Sequence, residues 1–161
     1  VFIDLADPKK RTNEDIARVL QITKALPTDT ILGMNMSESG IITEVLGIDA
    51  EEALDRAVKI REKMGISCVV VHPVNGAAVA HEKDSLWIDG PYTKEPKLTT
   101  GAGDNFNAGF CNAWLGGFDP GQCLIAGVCT SGFYVRNAKS PTREDLHAFM
   151  QEWLRADCGA I

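Results

Sequence analysis

The chain is 161 residues long, 45% of them hydrophobic and 24% charged, a composition that fits one soluble globular domain and excludes a disordered or fibrous chain. With 16 Lys and Arg against 22 Asp and Glu, the formal charge of -6 leaves no basic surface to neutralise a nucleic-acid backbone, so nucleic acid is not an expected partner. No uncharged apolar run approaches the roughly 18 to 20 residues needed to cross a bilayer, and the start has no basic region leading into an apolar stretch; a cytoplasmic protein with no membrane partner is expected.

In chain order, residues 1–5 read as a buried strand from the first position, which leads to the expectation that the chain is a piece of something longer. After Asp7-Pro8, Thr12 opens an amphipathic stretch with Ile16, Val19, Leu20 and Thr23 on one face, a helix stopped near Pro27. Residues 30–34 form a second strand, and Asn35-Met36-Ser37-Glu38 leads into a brief helix that Gly47 closes. Asp49 is a candidate N-cap for a helix over 50–64, with Ala53, Leu54, Ala57, Val58 and Met64 inward and Gly65 at its end.

Residues 66–72 are rich in Val and apolar on both faces, as a central parallel strand is. Asn75-Gly76 signals a hairpin turn into a strand over 77–82, and residues 85–89 supply a third strand of a small meander. A polar loop from Gly90 to Thr100 follows, carrying Pro91 and Pro96. Three helices complete the chain. The first covers about 103–115; the second starts at Asp119-Pro120 and runs to about Val135. The third opens at Thr142 with Asp145 three residues on, and places Leu146, Phe149, Met150, Trp153 and Leu154 on one core-facing stripe. With no repeats or linkers, the pattern predicts one α/β unit: a mainly parallel sheet flanked by helices, with an antiparallel edge.

The five cysteines, Cys68, Cys111, Cys123, Cys129 and Cys158, are odd in number and contain no Cys-x-x-Cys pair, which argues against a disulfide framework or a zinc knuckle. Most sit in apolar patterns, where a thiol acts as a small hydrophobe.

The chemistry is concentrated in Thr99-Thr100-Gly101-Ala102-Gly103-Asp104, which joins a loop to a helix. The first N–H groups of a helix lack internal partners and face the positive end of its dipole, so Gly101, Ala102 and Gly103 can cradle a phosphoryl group. A carboxylate repels phosphate, so Asp104 beside the cradle suits a base that takes a proton from an attacking hydroxyl. The plainer alternative is a glycine turn with Asp104 as a cap. The segment is not a P-loop, which needs Lys-Ser/Thr after its glycines. A dinucleotide-binding oxidoreductase is also disfavoured, because Phe106 stands where the last glycine of that fingerprint belongs.

The run Thr99 to Phe110, TTGAGDNFNAGF, closely resembles the C-terminal signature of the ribokinase-like, or PfkB, carbohydrate kinases. Asn35-Met36-Ser37-Glu38 resembles that family's Asn-x-x-Glu element, and Asp4, Asp7-Pro8 and Arg11 resemble its Asp-Pro-x-x-Arg stretch; the likeness extends over essentially the whole chain. It implies a three-layer α/β fold and transfer of the γ-phosphoryl group of ATP to a hydroxyl of a small-molecule sugar or nucleoside. By the resemblance Asp104 is the catalytic base, and Gly101, Ala102 and Gly103 form the anion hole. Asn35, Gly76, Thr100, Gly101, Gly103 and Asn137 fall at nucleotide-binding positions. Asn35 and Glu38 would organise Mg²⁺ and the phosphates through water, because Mg²⁺ gives up its hydration reluctantly; helix capping is the competing role for this pair. A homodimer is a candidate assembly of the full-length protein.

The chain also departs from the family pattern. Leu98 stands where an Asp often helps hold a monovalent cation, which puts potassium activation in question. Of the usual Thr-x-Gly-x-x-Gly element, Val71-His72-Pro73-Val74-Asn75-Gly76 keeps only the last glycine, and Arg136-Asn137-Ala138-Lys139, read as a loop, lacks the usual glycine. His72 is expected to be a hydrogen-bonded structural residue. The family's N-terminal half, with most sugar contacts and the small β-sheet lid, has no counterpart here, so weak or no kinase activity is expected of these residues alone. The competing functional class is a nucleotide- or anion-binding module that performs no chemistry.

Overall fold

The computed structural model describes residues 1–158. Among the described residues five strands and six α-helices make up an α/β chain, and the contacts divide it into two compact units, Val1–Pro73 with Ala77–Ile88, and Val74–Gly76 with the residues from Asp89 onward. The strands form one sheet in the order β1 (Phe2–Asp4), β2 (Ile31–Met34), β3 (Cys68–Val71), β4 (Gly76–His81), β5 (Ser85–Asp89). β1, β2 and β3 run parallel, whereas β4 pairs antiparallel to β3, with Val71 opposite Ala78. A parallel core with an antiparallel flank is the expected arrangement.

In the first unit every residue of β2 and β3 is buried, as the unbroken apolar runs require of central strands. Leu32, Met34, Val69, Val71, Ala78 and Ala80 form one sheet face. Three helices cover it: α1 (Asn13–Lys24) with Ile16 and Leu20, α2 (Met36–Leu46) with Ile42, and α3 (Ala53–Met64) with Ala57, Ile60 and Met64. Each large aliphatic side chain removed from water contributes roughly 1.5 to 3 kcal/mol, so this face is the main source of the unit's stability. Gly47 and Gly65 end α2 and α3 in the left-handed conformation, φ 64° and 65°, which a residue without Cβ adopts at least cost.

Three expectations are corrected here. β1, read as buried, is half-buried among the described residues, at one end of their strand order. Val19, placed on the inner face of α1 by its spacing, is exposed. α3 begins at Ala53 rather than residue 50, because its own side chains take the preceding carbonyls: Lys59 Nζ donates to Asp49 O at 2.7 Å and Arg56 Nε to Ala50 O at 3.1 Å.

The second unit is built from α4 (Ala102–Leu115), α5 (Pro120–Asn137) and α6 (Arg143–Cys158). α4 and α5 approach closely through glycine: a Cβ on Gly109 would stand 2.4 Å from Thr130 Oγ1, and one on Gly127 would stand 2.7 Å from the Phe106 ring. Phe106, Phe110 and Trp114 stack in sequence along α4, with ring centroids 6.2 and 5.8 Å apart. The α6 stripe is shallower than a core stripe: Phe149 meets Phe133 edge-on at 5.9 Å, but Leu146, Phe149, Met150 and Trp153 are only half-buried and Leu154 is exposed. Cys68, Cys123 and Cys129 are buried, and burial pushes the Cys129 thiol up to about 12, so it behaves as a small hydrophobe. The side chain of Cys158 lies outside the described residues. Among the described residues no helix is long and apolar enough to cross a membrane.

Candidate active site

Thr99, Thr100, Gly101 and Ala102 form a β-turn, closed by a hydrogen bond from Ala102 N to Thr99 O at 3.1 Å. Gly101 has φ 88° and ψ 2°, the third-position geometry of a type II turn, where glycine is the residue without a steric penalty. The same glycine is the N-cap of α4, and no side chain caps this helix start. The Gly101 carbonyl accepts from Asn105 N at 3.0 Å and from Asn105 Nδ2 at 2.9 Å, so the turn and the first helical coil are locked together.

The amides sort themselves by this geometry. Ala102, expected as an anion-hole donor, has its N–H committed to the turn. Among the described residues no acceptor meets the N–H groups of Gly101, Gly103 and Asp104. Three donors at the positive end of the α4 dipole are thus available to an anion. Asp104 is exposed in the first turn, beside them. The segment therefore places anion donors and a solvent-accessible carboxylate within one turn of helix, a combination able to hold a phosphoryl group and accept a proton next to it.

Loop residues leading into the turn rest on α5. Tyr134 Oη donates to Thr100 O at 2.7 Å, and the amides of Lys97 and Leu98 donate to Val135 O at 2.8 and 3.4 Å. Arg136 Nη2 donates to Tyr92 O at 2.8 Å, while its Nη1 holds Gly132 O at 2.8 Å. Tyr134 went unnoticed in the sequence; Arg136 stood out only as part of a loop and Asn105 only as part of the run from Thr99 to Phe110, neither with a supporting contact.

Arg136 and Asn137, read as loop residues, are the last two residues of α5, and Ala138 caps it at φ 53°. A residue with Cβ carries a cost there of about 1 kcal/mol that glycine avoids. Asn137 is exposed and its Nδ2 donates to Phe133 O at 2.9 Å. Gly76 is buried; the Cβ that Gly90 lacks would stand 3.4 Å from its Cα, so close backbone packing gives it a structural role as well.

In the first unit, the carboxyl ends of the parallel strands carry Asp4, Asn35 and His72, the sheet edge where α/β folds bind ligands. Asn35 and Glu38 make a reciprocal capping box: Asn35 Oδ1 accepts from Glu38 N at 2.9 Å and Glu38 Oε2 accepts from Asn35 N at 2.8 Å. Glu38 Oε1 accepts from Asp7 N at 3.4 Å, drawing in a segment where Ala6 and Asp7 are both left-handed, φ 48° and 59°. Capping, the competing role for this pair, is thus present. His72 lies at the end of β3, where burial pushes its imidazole down to about 4 against the opposing pull of the Asp4 carboxylate.

The donor set tests the fit of Mg²⁺. Among the described residues no group of three or more His, Cys, Asp or Glu side chains gathers to hold a metal directly. Each Glu38 oxygen accepts one backbone N–H and keeps a further lone pair, so the carboxylate can accept from metal-bound water. A hydrated Mg²⁺ fits these residues; a dehydrated ion in a protein cage does not.

Known proteins resemble this chain in sequence and in fold. The family described as prokaryotic ketohexokinase matches residues 1–153. A ketohexokinase of Haloferax volcanii is 25% identical over 156 residues, covering 96% of this chain and 42% of that protein. A nucleoside kinase of Methanocaldococcus jannaschii is 29% identical over 106 residues, covering 65% of this chain and 32% of that protein. The ribokinase structure from Thermotoga maritima is similar with a TM-score of 0.72 and 23% identity, over 94% of this chain and 48% of that one, so the fold is ribokinase-like. The chain spans less than half the length of these relatives.

Proposed function

The chain belongs to the prokaryotic ketohexokinase family, and from that premise we propose that it carries the phosphoryl-transfer end of an ATP-dependent sugar kinase. The observation that carries this reading is the open start of α4, where the free N–H groups of Gly101, Gly103 and Asp104 sit beside an exposed carboxylate. In the proposed step Asp104 takes the proton of the acceptor hydroxyl as the hydroxyl oxygen bonds to the γ-phosphorus, and the bond from that phosphorus to the ADP oxygen breaks. The amides hold the charge that spreads over the transferring oxygens, with Gly101 and Ala102 setting the shape of the turn that presents them. Thr100, Gly76 and Asn137 are proposed nucleotide neighbours. Mg²⁺ supplies charge neutralisation on the phosphates when bound; Asn35 and Glu38 would hold its water shell.

Family membership supports a ketohexose as the acceptor, and the likeness to a nucleoside kinase supports a nucleoside as the second reading. A screen of ketohexoses and nucleosides separates them. The decisive experiment is Asp104→Asn in a form of the protein that turns over ATP. Phosphoryl transfer should fall by about 10²- to 10⁴-fold while nucleotide binding persists. Turnover at the unmutated rate would refute the base assignment. Binding of ATP with Mg²⁺ and no ADP from any acceptor would instead favour a binding module.

A further inference from the structure

We propose that Tyr134 is a positioning residue that sets the direction of the Gly101 amide, an inference that rests on the reading of the α4 start as the phosphoryl site. The peptide between Thr100 and Gly101 is the central peptide of the type II turn. Types I and II differ by roughly a half-rotation of that one peptide plane, so the same chain can point its N–H either way. The peptide is planar and trans, so its carbonyl and N–H point in opposite directions. Whatever grips the Thr100 oxygen therefore aims the Gly101 N–H.

That grip comes from Tyr134, whose hydroxyl donates to Thr100 O at 2.7 Å across 34 residues of sequence. The same hydroxyl would lie 2.9 Å from a Cβ on Gly101, so the ring tip is pressed against the turn it holds. Tyr134 is itself well braced. Val135 O, next to it, is one of the last four carbonyls of α5, which lack intrahelical donors, and the Lys97 and Leu98 amides satisfy it. Arg136 fixes Tyr92 O, and Pro91 packs where a Cβ on Gly132 would stand 2.5 Å from its Cγ. The loop is thus anchored to α5 at both ends, with the Tyr134 hydroxyl as the anchor at the turn. Without that hydroxyl the central peptide is free to rotate, and one of the three available donors no longer faces the anion.

The test titrates the isotope-labelled 161-residue chain with inorganic pyrophosphate and follows the amide resonances of Gly101, Gly103 and Asp104. Tyr134→Phe keeps the ring and removes the donor. In the unmutated chain all three amides should move with one dissociation constant. In Tyr134→Phe binding should weaken about two- to tenfold, the range one lost hydrogen bond supplies, and the Gly101 resonance should stop following the titration while Gly103 and Asp104 still move. A purely structural role would lower the melting temperature without singling out Gly101. An unchanged Gly101 response and affinity in the variant overturns the positioning role but leaves the anion site standing. No response in the unmutated chain overturns both. If Tyr134→Phe does not fold, Tyr134→Met under the same titration decides by the same outcomes.

Discussion

The starts of α2 and α4 are built in opposite ways. At α2 the polar side chains turn back on the helix: Asn35 and Glu38 satisfy each other's backbone amides, and the second Glu38 oxygen takes the amide of Asp7. At α4 a glycine occupies the cap, no side chain closes the helix, and the neighbouring amides are left to whatever anion arrives. A polar residue at a helix start is therefore a weak indicator of a site, because its first duty is often the orphan donors of its own helix. An uncapped start held rigid from outside is a stronger one. The turn ahead of α4 is bonded to α5 through Tyr134, whereas the capping box of α2 lies within four consecutive residues.

The largest expected effect in stability tests the closed side. His72 is held near pKa 4 when folded against an ordinary value near 6.5, so between those pH values the unfolded chain binds the proton that the folded chain refuses. Stability attributable to this residue is present above pH 6.5 and is lost as the pH falls toward 4, by up to about 3 kcal/mol. Urea unfolding at several pH values should give a steeper acid loss for the unmutated chain than for His72→Gln; equal slopes would contradict the desolvation assigned to the imidazole.

Next in size is the support of the open side. Gly109→Ala forces a Cβ to within 2.6 Å of Ala126 O, a backbone atom that cannot swing aside, and should cost about 1 to 3 kcal/mol. A denaturation midpoint unchanged from the unmutated chain would mean that α4 and α5 separate more easily than their packing implies.

Asn35→Ala should have the smallest effect, a loss of about 1 kcal/mol seen in thermal unfolding without any ligand. It sharpens the contrast. If Asn35 only contacts phosphates or metal-bound water, the ligand-free protein keeps its full stability and the capping box is incidental.

Much of the fold was legible because its cues are local. β5 is found at Ser85–Asp89 as read, and the Asp119-Pro120 start of α5 is a capping box with Gln122, with proline in the first turn. The left-handed ends at Gly47 and Gly65 follow from a glycine at the close of each apolar period. The misread positions have non-local causes. Lys59 and Arg56 reach back from α3 to take carbonyls ahead of it, so no propensity at residues 50–52 could reveal where the helix begins. The exposure of Val19 and the shallow burial of the α6 stripe depend on what packs against those helices, which periodicity does not report. The candidate site divides in the same manner. Gly101 to Asp104 could be singled out, but not which of its amides are spent.

By itself the sequence determined the order of strands and helices, the glycine stops, and the small-residue turn ending in Asp104, because each depends on side chains within a few positions of one another. Tertiary structure alone decided that Tyr134 grips Thr100 from 34 residues away and that the Lys97 and Leu98 amides rest on Val135 O. A hydrogen bond has a short reach, so one between residues far apart in sequence is assigned only once distant segments have been brought together.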